Sequence, residues 1–171
     1  MEKISENMWK TYDAINGWIK FSDTKAGAIL AANGAILTIA FSKSIDNKDF
    51  ILDNQFILIS LSLGFLFGLI SMIFAIFCLG PTLSIGEPKS LIYFGHIAKK
   101  YDSCNRYKID VAVAFRDELD SIDQITSQVW ANSKIAWKKY VNVTWAILFF
   151  IGVIFFFSLA GIRIFYLIKI N

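Results

Sequence analysis

The run FILISLSLGFLFGLISMIFAIFCL at residues 56–79 decides the fold class of this chain. Sixteen of its 24 residues are Ile, Leu, Val or Phe, and no charged residue interrupts it. A helix needs roughly 20 predominantly apolar residues to cross a bilayer. The run therefore predicts a transmembrane helix. A second uncharged run, between Lys139 and Arg163, predicts another at residues 141–166.

The composition of the whole chain agrees with a membrane protein. Of 171 residues, 56% are apolar and 18% are charged, whereas soluble domains average about 45–50% and about 25%. This excludes a soluble enzyme, and a net charge of +3 is too small to indicate a nucleic-acid partner. The single His and two unpaired Cys fit no catalytic or metal motif. We therefore expect no catalytic residue, no metal and no cofactor.

A third, weaker span is predicted at residues 25–42. Only six of its residues are Ile, Leu, Val or Phe, and Asn33 lies near its centre. Those six contribute roughly −2 to −4 kcal/mol to membrane insertion. We therefore expect the span to insert as a hairpin with residues 56–79, joined by an external loop at residues 43–55.

Residues 1–22 predict a cytosolic amphipathic helix that precedes the first span. Apolar residues recur there at helical spacing: Ile4, Met8, Tyr12, Ile15 and Ile19. The stripe suits the headgroup level of a membrane, where Trp9 and Trp18 would also be stable. It equally suits packing against the cytosolic helices of the same chain.

Residues 80–140 predict a long cytosolic helical segment between the second and third spans. Gly80-Pro81 ends the second span, but residues 96–151 contain neither Gly nor Pro. An unbroken helix over residues 110–166 would be about 85 Å long, so we expect a turn at residues 103–108. A basic collar and an aromatic anchor mark the membrane interface: Lys134, Lys138, Lys139 and Trp145.

The Lys and Arg residues predict the orientation of the three spans. The N-terminal segment holds four and the middle segment nine, against two in the first loop and two at the C-terminal end. Positive charges concentrate on the cytosolic side of a membrane. The fold class is therefore an all-α membrane protein with three spans, its N-terminus cytosolic and its C-terminus external.

Small residues form one face of the second span, because Ser60, Gly64 and Gly68 recur at every fourth position. Such a face lets another helix approach closely. It serves either packing within the chain or assembly of a homo-oligomer.

Polar residues surround the beginning of the first span: Asp23, Lys25 and Asn33. An Asp and a Lys at this position are commonly an interface anchor and its counter-ion. An Asn within the membrane requires a polar partner, however, so a polar site that faces the helix bundle is the alternative.

The segment YFGHIAKKY at residues 93–101 combines aromatic rings, a His and two Lys. A bound anionic nucleotide needs a ring on which the base stacks and cations for the phosphate. The candidate ligand-binding residues are Tyr93, Phe94, His96, Lys99, Lys100 and Arg106. The alternative is the start of a helix whose Lys pair extends towards the membrane surface.

Three segments together resemble the transmembrane effectors of pyrimidine-cyclase antiphage systems, the Pycsar effector family (PycTM). They are WIKFSDTKA at residues 18–26, followed by Asn33-Gly34, then YFGHIA at 93–98, and the pattern QxxxNSKIAxxKY at 128–140. The resemblance extends from about residue 14 to the third span, and the three motifs keep their expected order relative to the spans.

This resemblance implies an effector in the bacterial inner membrane that is paired with a separate nucleotide cyclase. The activating ligand would be cCMP or cUMP, and membrane damage would stop growth before phage spreads. Under this hypothesis Lys99, Lys100 or Arg106 pairs with the phosphate and Tyr93 or Phe94 stacks on the base. Gly64 and Gly68 would set the helix packing that rearranges.

Two other functions fit the residues. A channel or transporter subunit would use Asn33 and the Asp23/Lys25 pair, and it would pass ions or solutes without a nucleotide. A membrane scaffold would recruit a protein partner through residues 110–135.

Overall fold

The computed structural model describes residues 2–81, 90–116 and 118–170, and all regular structure in these ranges is helical. Three helices are long and apolar enough to cross a membrane, at Ile4–Asp46, Gln55–Leu79 and Leu119–Lys169. The predicted all-α fold with three potential spans is therefore confirmed. The elements are α1 (Glu2–Asp46), α2 (Lys48–Leu52), α3 (Gln55–Leu79), α4 (Phe94–Lys100), α5 (Cys104–Ala114) and α6 (Glu118–Ile170).

Helix α1 joins two predicted elements. The sequence separated an amphipathic helix at residues 1–22 from a span at residues 25–42, but the structure has one helix from Glu2 to Asp46. The junction, Phe21-Ser-Asp-Thr-Lys-Ala26, contains no Pro or Gly. Nothing in it therefore opposes continuation of the helix.

The segment between the second and third spans has two interruptions where one was expected. The predicted turn at residues 103–108 lies mostly inside α5, and the chain instead leaves the helix at residues 101–103 and again at 115–116. Ser103 begins α5 as its N-cap, with its Oγ accepting from the backbone N–H of Arg106 at 3.4 Å. The predicted break at Pro88 lies outside the described residues.

The chain forms two compact units. We call them the N-terminal-and-middle unit (Met1–Phe21 and Pro81–Lys138) and the bundle unit (Ser22–Gly80 and Lys139–Asn171). Helices α1 and α6 each contribute to both units.

The bundle unit has a core of small and medium-sized side chains. Ala26, Ile29, Ala75, Cys78, Val143 and Ala146 form one buried cluster. Aromatic rings pack around it, with Phe74 stacked on Phe149 at 5.8 Å between centroids and 9° between planes. Such close contact between helices depends on small residues at the crossing points.

Glycines in the bundle unit make room for side chains of neighbouring helices. A Cβ on Gly64 would overlap the ring of Phe157, and one on Gly68 would lie 2.7 Å from a methyl group of Leu37. Ser60, Gly64 and Gly68 are all buried. The small-residue face of α3 is thus occupied by α1 and α6 of the same chain.

The N-terminal-and-middle unit is held together by amide side chains. Asn132 Nδ2 donates to Asn16 Oδ1 at 2.8 Å, and Gln128 Nε2 donates to Asn132 Oδ1 at 2.9 Å. Met8 belongs to the predicted apolar stripe, and its sulfur accepts from Thr126 Oγ1 at 3.7 Å. This part of the stripe therefore packs against α6, whereas Ile4 is half exposed.

Candidate functional site

The bundle unit contains a partly buried ion pair that involves all three long helices. Lys139 of α6 donates from Nζ to Asp23 Oδ1 of α1 at 2.5 Å and to the backbone carbonyl of Cys78 in α3 at 2.6 Å. The Lys139 side chain is 8% exposed and that of Asp23 is 36% exposed. We call these three groups the Lys139 clamp.

The position of the Cys78 carbonyl explains why a cation is stable there. Helix α3 ends at Leu79, so the Cys78 carbonyl is one of the last four in the helix and has no partner within it. The negative end of the helix dipole also favours a positive charge at this point. The thiol of Cys78 donates to the Ser22 carbonyl of α1 at 3.6 Å, which adds a second contact between α3 and α1.

The sequence prediction grouped Lys139 with Lys134 and Lys138 in a basic collar at the membrane interface, and the structure shows that its side chain, unlike the other two, is buried in the bundle unit. Lys134 and Lys138 are exposed, and Lys134 Nζ lies 3.7 Å from the centroid of the Trp130 ring. Lys139 precedes the buried Val143 and Ala146 by four and seven residues. This spacing puts Lys139 on the same face of α6 as Val143 and Ala146, and it could have predicted from the sequence that Lys139 points into the bundle unit.

A second polar contact lies deeper in the bundle unit. Asn33 is fully buried, and its Nδ2 donates to Ser71 Oγ at 2.9 Å. Ser71 Oγ in turn donates to the Ala146 carbonyl at 2.7 Å. Asn33 Oδ1 has no hydrogen-bond partner in the described ranges. Asn33 thus faces the interior of the bundle unit. This position is the one that the bundle-facing polar site of the sequence analysis would give it.

Asp23 and Asn33 belong to separate layers. Ten residues of helix separate them along α1, which corresponds to about 15 Å. Lys25, the third residue predicted at this site, is half-buried. The bundle unit therefore has one charged layer and one uncharged polar layer.

The candidate ligand-binding residues surround the short helix α4. The Tyr93 ring contacts Phe94 at 4.8 Å and His96 at 4.9 Å between centroids. Phe94 is 71% exposed. His96 Nδ1 accepts from the backbone N–H of Ser90 at 3.2 Å, so a neutral His96 carries its proton on Nε2. That Nε2 is buried and lacks a partner among the described residues.

The three predicted cations, Lys99, Lys100 and Arg106, differ in their pairing. Lys100 Nζ donates to Asp110 Oδ2 at 3.1 Å, and the Tyr101 hydroxyl donates to the same oxygen at 2.6 Å. Hydrogen bonds from Tyr101 and then from Lys100 lower the pKa of Asp110. The pKa of Lys100 is raised, chiefly by its hydrogen bond to Tyr101 and less by its hydrogen bond to Asp110. Lys100 is therefore paired with a carboxylate in an exposed contact.

Lys99 and Arg106 are less closely engaged, although the positive charge of Arg106 also lowers the pKa of Asp110. Both are exposed, and their side chains make no hydrogen bond or ion pair within the part of the chain that the structure describes. Lys99 follows His96 by three residues, so the two lie on one side of α4.

The described residues contain no group of three or more His, Cys, Asp or Glu that could hold a metal ion. Cys78 is buried and Cys104 is exposed, and neither forms a disulfide.

Comparison with known proteins gives a single finding. No curated protein and no solved structure matches the chain. A family model described as the Pycsar effector protein domain, PycTM, matches residues 7–165. The match includes the Lys139 clamp, Asn33 and the whole segment 90–116, and it confirms the resemblance seen in the three sequence motifs. This membrane protein therefore belongs to the PycTM family of Pycsar effector domains.

Proposed function

We propose that this Pycsar effector senses a cyclic pyrimidine nucleotide, cCMP or cUMP, made by a partner cyclase. In response it impairs the bacterial inner membrane and stops growth of the infected cell. Family membership over residues 7–165 supports the antiphage role. The observation that carries the membrane part of the proposal is the Lys139 clamp, because even a partly buried ion pair between membrane helices is costly, and charged residues in such helices mark functional positions.

The nucleotide would bind beside α4. Tyr93 or the exposed Phe94 offers a ring for the base, and the buried Nε2 of His96 would reach the ligand only after a local rearrangement. Lys99 and Arg106 would pair with the cyclic phosphate, since Lys100 is engaged by Asp110. These groups match the chemistry of the ligand, in which one face is aromatic and the other anionic.

Binding would act by shifting a population between two arrangements. A change from 1:99 to 99:1 requires the ligand to bind the favoured arrangement more tightly by about 5.5 kcal/mol. Several subunits that switch together would lower the requirement for each ligand, so we include a homo-oligomer in the proposal. The protein would act without catalysis, as a ligand-gated element of the membrane.

The Lys139 clamp is the contact that we expect to open. Helix α6 extends without interruption from Glu118 to Ile170, so its cytosolic part and Lys139 belong to the same helix. Separation of Lys139 from Asp23 would leave charges in the bundle unit, and water would enter to solvate them.

Calorimetric titration of the purified full chain with cCMP and with cUMP tests the sensing step. We expect heat of binding with one of the two nucleotides and loss of that heat in Lys99→Gln/Arg106→Gln. Lys108→Gln is the matched control, because Lys108 is also an exposed cation of α5. Absence of binding by the unmodified chain at millimolar nucleotide would refute direct sensing.

Dye uptake by cells that express the chain, with and without the cyclase, separates the proposal from its rivals. The proposal predicts uptake only with an active cyclase. Uptake without the cyclase would indicate a constitutive channel. Loss of phage defence through surface changes at residues 110–135, with an intact membrane throughout, would indicate a scaffold.

A further inference from the structure

The bundle unit contains an apolar cavity of about 670 Å³ at the end where α1 and α6 finish. Its walls come from α1, α2, α3 and α6 and are mainly apolar; they include Ile36, Ile39, Phe50, Phe157 and Ile164. We propose that this cavity binds one acyl chain of a membrane phospholipid and that Lys43 holds its anionic headgroup. The proposal does not depend on nucleotide sensing.

The length of the cavity matches one leaflet of a bilayer. On α6 its lining extends from Phe157 to Ile168, and on α1 from Ile36 to Ser44. Eleven residues of helix correspond to about 16 Å, which is half of the roughly 30 Å hydrocarbon core. An acyl chain whose headgroup lies at the membrane surface extends through one leaflet, which is about the length of the cavity.

The cavity is also accessible from the lipid. Ile39 and Ile168 line it and are 64% and 69% exposed, so it opens on the outer surface of the spanning helices. Ile51 and Ala160 are buried and close its inner side. Water in such a cavity would find few polar partners, whereas hydrocarbon would contact apolar side chains on several sides.

One charged residue lines the cavity. Lys43 lies in the last turn of α1. Its ammonium lies 3.7 Å from Asp46, and its side chain is 75% exposed. An exposed pair at this distance is weak, so Lys43 can turn to a phosphate. A headgroup without a cation of its own would suit Lys43 best, so we expect the occupant to be a phospholipid with a net negative headgroup.

Gly161 provides a substitution that fills the cavity. It lines the cavity, and a Cβ built on it meets no atom within 4 Å. Gly161→Leu therefore places a side chain in the space of the acyl chain, and the helix gains propensity. Gly34→Leu is the matched control, because Gly34 also has open space beside its Cβ but does not line the cavity.

The test is native mass spectrometry of the full chain, purified from vesicles of equal phosphatidylglycerol and phosphatidylcholine. We expect the unmodified chain and Gly34→Leu to retain one phospholipid per chain, mostly phosphatidylglycerol, and Gly161→Leu to lose it. We expect Lys43→Gln to remove the preference for phosphatidylglycerol, and Lys48→Gln, a neighbouring cation outside the cavity, to keep it. Circular dichroism of each variant establishes that it is folded.

Photocrosslinking with a phospholipid that carries a diazirine on its acyl chain locates the bound lipid. We expect labelling concentrated at residues 36–51 and 157–168. Equal labelling of the exposed α3 residues Leu66, Leu69 and Ile73 would overturn the proposal, as would equal lipid retention by Gly161→Leu and Gly34→Leu. Either result would mean that the detected lipid is the general lipid around any spanning helix and is not bound in the cavity.

Discussion

Lys139 provides a cation that contacts α1 and α3 at once, through the Asp23 carboxylate and the Cys78 carbonyl. The sequence could predict that Asp23 and Asn33 need polar partners, because polar groups in a span are costly without them. It could not predict the partners. Lys139 and Ser71 are separated from Asp23 and Asn33 by 116 and 38 residues, and only the packing of helices brings them together.

Removal of the Lys139 cation tests the clamp. We expect Lys139→Met to destabilise the chain by about 2 kcal/mol, less than for a fully buried pair because Asp23 is partly exposed. The double variant Asp23→Asn/Lys139→Met should recover part of this loss, because it leaves no charge unpaired. Thermal unfolding in detergent measures the effect, with the exposed Lys138→Met as the control. Equal losses in Lys139→Met and Lys138→Met would disprove the clamp.

From the hydrogen bonds of Asp110 we predict that the local stability of the N-terminal-and-middle unit depends on pH. The pKa of Asp110 is lowered, chiefly by the hydrogen bond from Tyr101 and less by that from Lys100. The contribution of the Asp110 carboxylate to the stability of the folded chain is therefore complete above the ordinary carboxyl pKa. That contribution is lost as the pH falls through the lowered value. The raised pKa of Lys100 means that its contribution is lost only as the pH rises through that higher value. Both contributions are therefore present at neutral pH.

Hydrogen exchange of the α5 amides at neutral and acid pH, corrected for the intrinsic rate, measures this effect. We expect protection of α5 to fall on acidification in the unmodified chain. In Asp110→Asn protection should be lower at neutral pH and should change less. An identical acid response in both chains would remove Asp110 as its cause.

At the scale of elements, the spans were predictable and their limits were not. Charge-free apolar runs identify α3 and the last part of α6 without knowledge of the fold. The junction of residues 21–26 and the turns at 101–103 and 115–116 contain no Pro or Gly. Pro and Gly therefore do not mark these limits, and Ser103, which caps α5, is a local signal for one of them.

Two glycines test how the helices of the bundle unit pack. Gly64→Ala places a methyl group against the Phe157 ring, so we expect a loss of about 1–3 kcal/mol through overpacking. Gly27→Ala meets no atom within 4 Å, so the gain in helix propensity should stabilise the chain by up to about 1 kcal/mol. Thermal unfolding compares the two variants. A stable Gly64→Ala would show that α6 does not pack on this face of α3.

At the scale of the whole molecule, the chain combines two chemically different units. The bundle unit carries the Lys139 clamp and the apolar cavity, and the N-terminal-and-middle unit carries the aromatic and cationic groups around α4. The resemblance in three sequence motifs predicted the family that the match over residues 7–165 confirms. Composition alone predicted a membrane protein and gave no ligand, because aromatic and cationic residues also serve membrane interfaces.

The most direct test of the proposed function is release of a trapped dye from proteoliposomes that contain only the purified chain. We predict release on addition of cCMP or cUMP, none without nucleotide, and none from Lys99→Gln/Arg106→Gln at the same concentration. Lys108→Gln should behave as the unmodified chain does. Proteoliposomes that stay sealed at saturating concentrations of both nucleotides, or that leak equally without them, would contradict the account.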